Sequence, residues 1–278
     1  MYIIVDKVEL AEGIFKIVIN APLVARNWKP GQFVMIMVNE NGERIPLTIV
    51  DGNAANGNIS LIFQVVGKTT KLLALKNVGE KIFSVAGPLG KPSEISKFGN
   101  VAVVGGGVGV AEILPQAKAL KDAGNHVIGI VGARSSNKLI LVKELETVCD
   151  KVYVCTDDGS LGYKGFVSEM LSKILREGQT IDYVYAVGPV AMMKAVSEVT
   201  RGYRIRTVVS ANPIMVDGTG MCGACRVLVG GEIKFACIDG PDFDAHQLDF
   251  KILESRLKAY TKYEMKALED FRRCGCNG

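Results

Sequence analysis

The sequence predicts a chain of three parts: a small antiparallel β-barrel over residues 1–98, a doubly wound α/β domain over 99–212, and a cysteine-bearing segment with a helical tail over 213–278. Three patterns lead to this reading. The first part sets short apolar runs between turn residues, which suits short antiparallel strands. The second alternates apolar runs with helix-spaced segments, as a parallel sheet with crossover helices requires. The third gathers three of the chain's seven cysteines into "MVDGTGMCGACRVLVGGEIKFACIDG" before a charged helical stretch.

Taken in order, "MYIIVDKVELAEG", "IFKIVIN", "QFVMIMV", "RIPLTIV", "NISLIFQVV" and "KIFSVAG" read as strands. The turns "NWKPG", "NENGE", "DGNAANG" and "NVGE" separate them, and "TTKLLALKN" has helical apolar spacing. After "GKPSEISKFGN" the character changes. "VAVVGGGVGVAEILPQAKALKDAG" reads as a buried strand, a glycine-rich turn and a helix, and "HVIGIVGA" as a second strand. "KLILVKELETVC" is helix-like, followed by strand "KVYVCTDD", helix "FVSEMLSKILREG" and strand "YVYAVGP". The tail "HQLDFKILESRLKAYTKYEMKALEDFRR" reads as helix.

With 278 residues the chain can bury two cores, and 48% apolar with 22% charged residues is ordinary for a globular protein. A net charge of +4 with no dense Lys/Arg run argues against nucleic-acid binding. Asp6 and Lys7 interrupt the N-terminus before any signal-like apolar region forms, and "VAVVGGGVGVAEILP" is too short and glycine-rich to span a bilayer. A cytoplasmic address and no membrane association are therefore expected. The odd number of cysteines also suits a reducing compartment better than a disulfide framework.

"VVGGGVGVAEI" places Gly105, Gly107 and Val110 at G-x-G-x-x-G/A offsets, with Gly106 and Gly109 in the same turn. Such a turn lets backbone N–H groups approach a pyrophosphate at a helix start, although a tight turn needing positive φ gives the same signature. Two later loops, "CTDDGSLGYKG" and "AVGPVAMM", lie at the same strand ends and bring Asp157, Asp158, Gly159, Gly188 and Pro189 to that edge. Asp157 and Asp158 could accept from ribose hydroxyls and would repel a 2′-phosphate, which points to NADH over NADPH. A solvated acidic turn is the plainer alternative, and Arg134 lies in a loop that could tolerate phosphate.

Cys222 and Cys225 form C-x₂-C, and Cys237 follows. A plant-type [2Fe–2S] site would put a further cysteine five positions before Cys222, where this chain has Asp217. Gly218, Gly220 and Gly223 make the loop pliant enough to wrap a cluster. A carboxylate-ligated cluster, a zinc knuckle completed by His246, and buried thiols are the alternatives. Cys149 and Cys155 read as core thiols; Cys274 and Cys276 in the terminal "CGCNG" have no assigned role.

The order of parts, the "GGGVG" turn and the "GP-x-x-MM" loop resemble the ferredoxin–NADP reductase superfamily over about residues 1–212. The resemblance implies FAD on the barrel and NAD(H) on the second domain. The family's R-x-Y-S flavin motif maps onto Arg44, Ile45, Pro46, Leu47 and Thr48: Thr48 takes the hydroxyl place, Leu47 the aromatic place, and Arg44 stands one residue early. Its phosphate-binding segment maps onto "QVVGKTTKLLAL", with Gly67, Thr69 and Thr70 as candidates; a helix N-cap by Thr69 is the bland reading. Val187 stands where many members have a cysteine.

"DGTGMCGACR", from Asp217 to Arg226, resembles one branch in particular. It includes electron-transfer subunits of dihydroorotate dehydrogenase B and small subunits of electron-bifurcating NADH-dependent ferredoxin:NADP oxidoreductases. This implies a [2Fe–2S] cluster on Asp217, Cys222, Cys225 and Cys237. It also implies a heterodimer with a larger subunit carrying a second FAD and [4Fe–4S] clusters, through which ferredoxin and NADP(H) are reached. The helical tail would help clamp that partner or pack on its own domains. The competing readings are the same relay serving a dihydroorotate, sulfide or hydrogenase subunit, a stand-alone flavin reductase with structural zinc, and a nucleotide-sensing module.

Overall fold

The computed structural model describes residues 2–273. The first seven strands are β1 (Tyr2–Ala11), β2 (Ile14–Asn20), β3 (Phe33–Met37), β4 (Arg44–Asn53), β5 (Asn58–Gln64), β6 (Lys81–Ile82) and β7 (Ser84–Leu89). They form one antiparallel sheet in the order β6-β1-β2-β5-β4-β3-β7, curled into a nearly closed barrel. Register shifts within the β1–β2 and β4–β5 pairs accentuate the bend. Ile17, Ile19, Val34, Ile36, Ile49 and Leu61 fill the interior.

The run read as one strand, "KIFSVAG", is divided. β6 pairs with β1 while β7 pairs with β3, so a single apolar run serves both edges of the barrel. Phe83 stands at the break and donates its N–H to Val38 O at 3.2 Å. Two short helices, α1 (Pro22–Asn27) and α2 (Lys68–Leu75), close the gaps. The six-residue α1 is too short for a periodic signal and is held by burial of Val24 and Ala25.

The second sheet comprises β8 (Asn100–Gly106), β9 (His126–Ala133), β10 (Lys151–Thr156), β11 (Tyr163–Lys164), β12 (Tyr183–Val187), β13 (Arg206–Ser210) and, further along the chain, β16 (Asp242–Asp244). Their order is β11-β10-β9-β8-β12-β13-β16, parallel except for the last pair. The central β8 is buried over Val101–Gly106, as expected of a parallel strand covered on both faces. α3 (Val110–Asp122) and α4 (Val142–Val148) cover one face; α5 (Val167–Arg176) and α6 (Val190–Tyr203) cover the other. α4 is shorter than "KLILVKELETVC" suggested because Leu141 takes φ 57° and lets Ile140 turn into the core. The second half of "AVGPVAMM" is the start of α6 rather than loop.

Beyond β13 the cysteine segment carries the hairpin β14 (Arg226–Val229) and β15 (Glu232–Phe235) before β16 returns to the sheet. The tail is two helices, α7 (Phe250–Leu257) and α8 (Thr261–Arg273). Asp249 caps α7 by accepting from Ile252 N at 2.9 Å, and Leu253 anchors it in the core. One apolar cluster runs from Phe33 and Met35 of the barrel through the sheet to Cys225, Cys237 and Leu253.

A buried polar network also ties the three parts together. Tyr185 Oη lies 3.0 Å from Glu112 Oε1 and 2.9 Å from Asp242 Oδ1, and Gln116 Nε2 donates to it at 3.2 Å. Thr48 of the barrel donates to Glu112 Oε2 at 3.1 Å. Ser93 bonds both Asp242 and Gln116. Burial, with the neighbouring Glu112 carboxyl, pushes the Asp242 carboxyl up to about 7. An unfolded Asp titrates near about 4, so over the interval between these values the folded chain keeps a proton that the unfolded chain has lost. Stability from this group therefore falls as pH rises through that window. Asp242→Asn lacks the titration, so the wild-type melting temperature should drop relative to the variant's from about pH 4 to about pH 7. Thermal denaturation of both across that range checks it; parallel curves contradict it.

Candidate functional site

In the parallel sheet the order reverses between β8 and β12, and the crevice at such a switch point is where open α/β sheets take ligands. The glycine-rich turn after β8 meets the loop after β12 at this crevice. A Cβ on Gly105 would stand 2.9 Å from Val110 Cα, one on Gly106 2.4 Å from Met192 Sδ, and one on Gly109 2.5 Å from Val187 O. One on Gly188 would stand 2.9 Å from Met192. Gly105 and Gly109 are thus required by helix and loop backbone closing on them, while at Gly106 and Gly188, with Pro189 beside them, the contact is chiefly with the movable end of Met192. Gly107 differs: it has φ +57° and open space where a Cβ would point. It is the position in the turn that leaves room for another molecule.

Asp157, Asp158 and Gly159 lie in the exposed turn after β10, two strands from β8. Asp158 Oδ1 accepts from Ser160 N at 2.9 Å, and hydrogen bonds from Ser160 hold its carboxyl below the usual range. The exposed Arg134 follows β9 in the neighbouring loop, its carbonyl accepting from Asp158 N. One edge of the sheet therefore presents the open Gly107 turn, an arginine and two carboxylates.

On the barrel, Arg44, Pro46, Leu47 and Thr48 follow one another along β4, opposite Met37, Met35, Val34 and Phe33 of β3. Arg44 is exposed and the other three are half-buried. Gly67 caps α2 with ordinary extended backbone and open space beside it. Thr70, not Thr69, completes this cap: its hydroxyl accepts from Val66 N and Gly67 N, both at 3.0 Å. Thr69 is buried and bonds Glu43 Oε2 at 3.3 Å. What this helix start offers an anion is the N–H groups of its first turn after Gly67, because Val66 N, Gly67 N and both threonine hydroxyls have partners.

The four candidate metal ligands come together as two pairs. Cys225 and Cys237 are buried, with their sulfurs 3.2 Å apart. Asp217 Oδ2 accepts from Cys222 N and its Oδ1 from Thr219 N, each at 2.9 Å. Among the described residues no three His, Cys, Asp or Glu side chains lie close enough to hold a single ion. Thiol and carboxylate donors gathered on one loop suit an iron–sulfur cluster. Bonds from Thr219 and Cys222 hold the Asp217 carboxyl below the usual range, so it is an anion, and each oxygen retains a lone pair for a metal. Burial, then the neighbouring Cys225, push the Cys237 thiol up to about 12; a bound metal would be needed to deprotonate it.

Arg256 of α7 lies beneath this loop. It donates through Nη2 to Ala224 O at 2.8 Å, while its buried Nε has no partner among the described residues. A half-buried cation under the loop suits an anionic group held between the cysteines. Cys149 and Cys155 are buried with thiols raised to about 11 and about 12 by burial, as inert core thiols should be. Cys274 and Cys276 lie outside the described residues. The sequence reading did not single out Glu112, Tyr185, Asp242 or Arg256. The one visible hint was a carboxylate inside the apolar stretch "VAEIL".

Residues 212–249 match the model of the iron–sulfur cluster binding domain of dihydroorotate dehydrogenase B. The chain is 49% identical to the dihydroorotate dehydrogenase B (NAD(+)) electron transfer subunit homolog of Thermotoga maritima, over 96% of this chain and 94% of the other. A solved structure bearing on flavin-based electron bifurcation, of an NADH-dependent reduced ferredoxin–NADP oxidoreductase, superposes with a TM-score of 0.93 at 48% identity, covering 98% of each chain. Phthalate dioxygenase reductase shares the fold at 17% identity, with a TM-score of 0.60 over 82% of this chain and 85% of its own.

The cysteine loop rests on the barrel through Gly218, which has φ +79° and would put a Cβ 2.6 Å from Met35 Cγ. Gly178 shares the conformation, at φ +88°, with nothing within 4 Å. Gly178→Ala should therefore cost only the backbone penalty, about 1–2 kcal/mol. Gly218→Ala should cost visibly more, because it also displaces Met35. Chemical denaturation of the two variants side by side measures the difference, and equal losses would show that the loop does not depend on that contact.

Proposed function

The chain belongs to the family of dihydroorotate dehydrogenase B-type electron-transfer subunits, and on that premise we propose that it takes electrons from NADH and relays them to a larger subunit. The observation that carries this reading is the pairing of Asp217 with Cys222 and of Cys225 with Cys237, in a loop seated on the barrel through Gly218. In this proposal the four residues hold a [2Fe–2S] cluster, the barrel holds FAD and the sheet edge holds NAD(H). Bound together, the flavin and the cluster supply the conversion of a two-electron hydride donor into single electrons.

The chain's residues do the positioning. The start of α2 after Gly67 and Arg44 on β4 would hold the flavin pyrophosphate, and Leu47 and Thr48 would line the place of its ring. The Gly107 turn takes the NADH pyrophosphate, and Asp157 and Asp158 take a ribose and disfavour an added phosphate. Arg256 offsets the negative charge of the cluster. Cys222 is exposed, and Met221 (89% exposed), Val216 (52%) and Ile238 (43%) accompany it on the same segment. An exposed ligand with apolar neighbours suits the docking of another electron carrier. That carrier would be the larger flavin and [4Fe–4S] subunit, with bifurcation and the reactions of ferredoxin and NADP(H) belonging to it.

Anaerobic purification, metal analysis and low-temperature EPR after reduction with NADH test the relay. Two irons per chain and a [2Fe–2S] signal that changes shape in Asp217→Cys are expected; zinc without iron overturns the reading. Cofactor choice is checked by steady-state kinetics. The double variant Asp157→Asn, Asp158→Asn should narrow the kcat/KM preference for NADH over NADPH about tenfold, the equivalent of about 1.4 kcal/mol. A wild-type preference for NADPH would contradict the role of the two carboxylates.

A further inference from the structure

The network centred on Tyr185 has more acceptors than protons if both of its carboxyls are ionised. The Tyr185 hydroxyl carries one hydrogen, yet it stands at bonding distance from Glu112 Oε1 and from Asp242 Oδ1, 3.0 and 2.9 Å away. It can donate to only one of them. The other carboxyl must bring its own proton, or two anions would face one oxygen lone pair in a buried site. The remaining carboxylate oxygens accept from Thr48 and Ser93.

We propose that Glu112 and Asp242 hold one proton between them across Tyr185, and that this pair is the proton-exchange group of the flavin site, reached through the Thr48 hydroxyl. The inference rests on the proposed flavin site for its first link. Its geometry is a continuous path from half-buried Thr48, through buried Glu112 and Tyr185, to half-buried Asp242 and Ser93. Its chemistry follows from the relay. A hydride delivers two electrons and one proton; a cluster accepts the electrons singly and leaves the proton behind. That proton passes to the Thr48 oxygen as the Thr48 hydrogen moves to Glu112. Tyr185 hands a hydrogen to Asp242 as it receives one from Glu112, and Asp242 gives a proton to the Ser93 oxygen as the Ser93 hydrogen turns away and leaves to solvent. The pair finishes with the single proton it began with.

Burial raises both carboxyls, which agrees with a retained proton. The other titratable groups that bear on this site are Tyr183 and, at the exposed rim, the Arg206–Glu94 ion pair at 2.6 Å, with Asp244 acting on Arg206. Glu112, Tyr185 and Asp242 are thus positioning residues that act through Thr48.

The test uses the full chain as purified, with its bound cofactors. Infrared spectra in H₂O and ²H₂O should contain a protonated-carboxyl band near pH 6 that shifts in frequency in Glu112→Gln and in Asp242→Asn, since either change leaves one buried carboxyl to hold the proton alone. In stopped-flow experiments, Tyr185→Phe keeps the ring and removes only the bridge. It should slow flavin reoxidation about 10²-fold and abolish its solvent deuterium isotope effect. FAD-loaded wild type without the carboxyl band overturns the shared proton, and Tyr185→Phe with a wild-type isotope effect overturns the path. A chain that carries no flavin overturns the underlying site reading, and the path with it.

Discussion

Glu112 and Asp242 meet on one phenol oxygen, and the relation of barrel, sheet and cysteine segment depends on that meeting. Thr48 comes from β4, Glu112 from the first turn of α3, Tyr185 from β12, and Asp242 from the strand that brings the cysteine segment back to the sheet. Buried polar groups of this kind tolerate few arrangements, because each one left unpaired costs more than an average hydrogen bond contributes. The network helps set the register of the three parts and so where β4 stands relative to the glycine-rich turn.

Glycines act within that frame in two ways. At Gly105 and Gly109 the absence of a side chain lets a loop and a helix start close to contact distance, which builds the walls of the crevice. At Gly107 and Gly67 the space beside the backbone is open. The first kind makes the site rigid and the second leaves it room. The cysteine loop repeats the first device, with Gly218 against Met35 and Gly220 against Ile238, so its ligands are held from the barrel side and from their own hairpin.

Much of the architecture was legible because it is written in neighbouring residues. "IFKIVIN" is a strand in the structure over the same seven residues, and the strand–turn–helix around "GGGVG" stands where the pattern placed it. Failures came where one local pattern had two uses. "KIFSVAG" was divided because its ends pair with opposite edges of the barrel, and the tail became two helices around residues 258–260. Thr69 looked like a cap, but the hydroxyl one position further on reached the backbone instead.

By itself, then, the sequence determined most of the barrel strands, the alternation of strands and helices after residue 99, where the glycine turn lies, and that Asp217, Cys222, Cys225 and Cys237 share a short stretch. These follow from periodicity, turn chemistry and spacing, which act over a few residues. Tertiary structure alone decided that Cys225 and Cys237 meet, that β16 joins the parallel sheet, and that Glu112 shares a phenol with Asp242. Thr48 and Glu112 are 64 positions apart, Glu112 and Tyr185 are 73 apart, and Tyr185 and Asp242 are 57 apart. No local propensity records such distances. They arise when strand order and helix packing bring distant polar groups into one dry space, where each must find a partner.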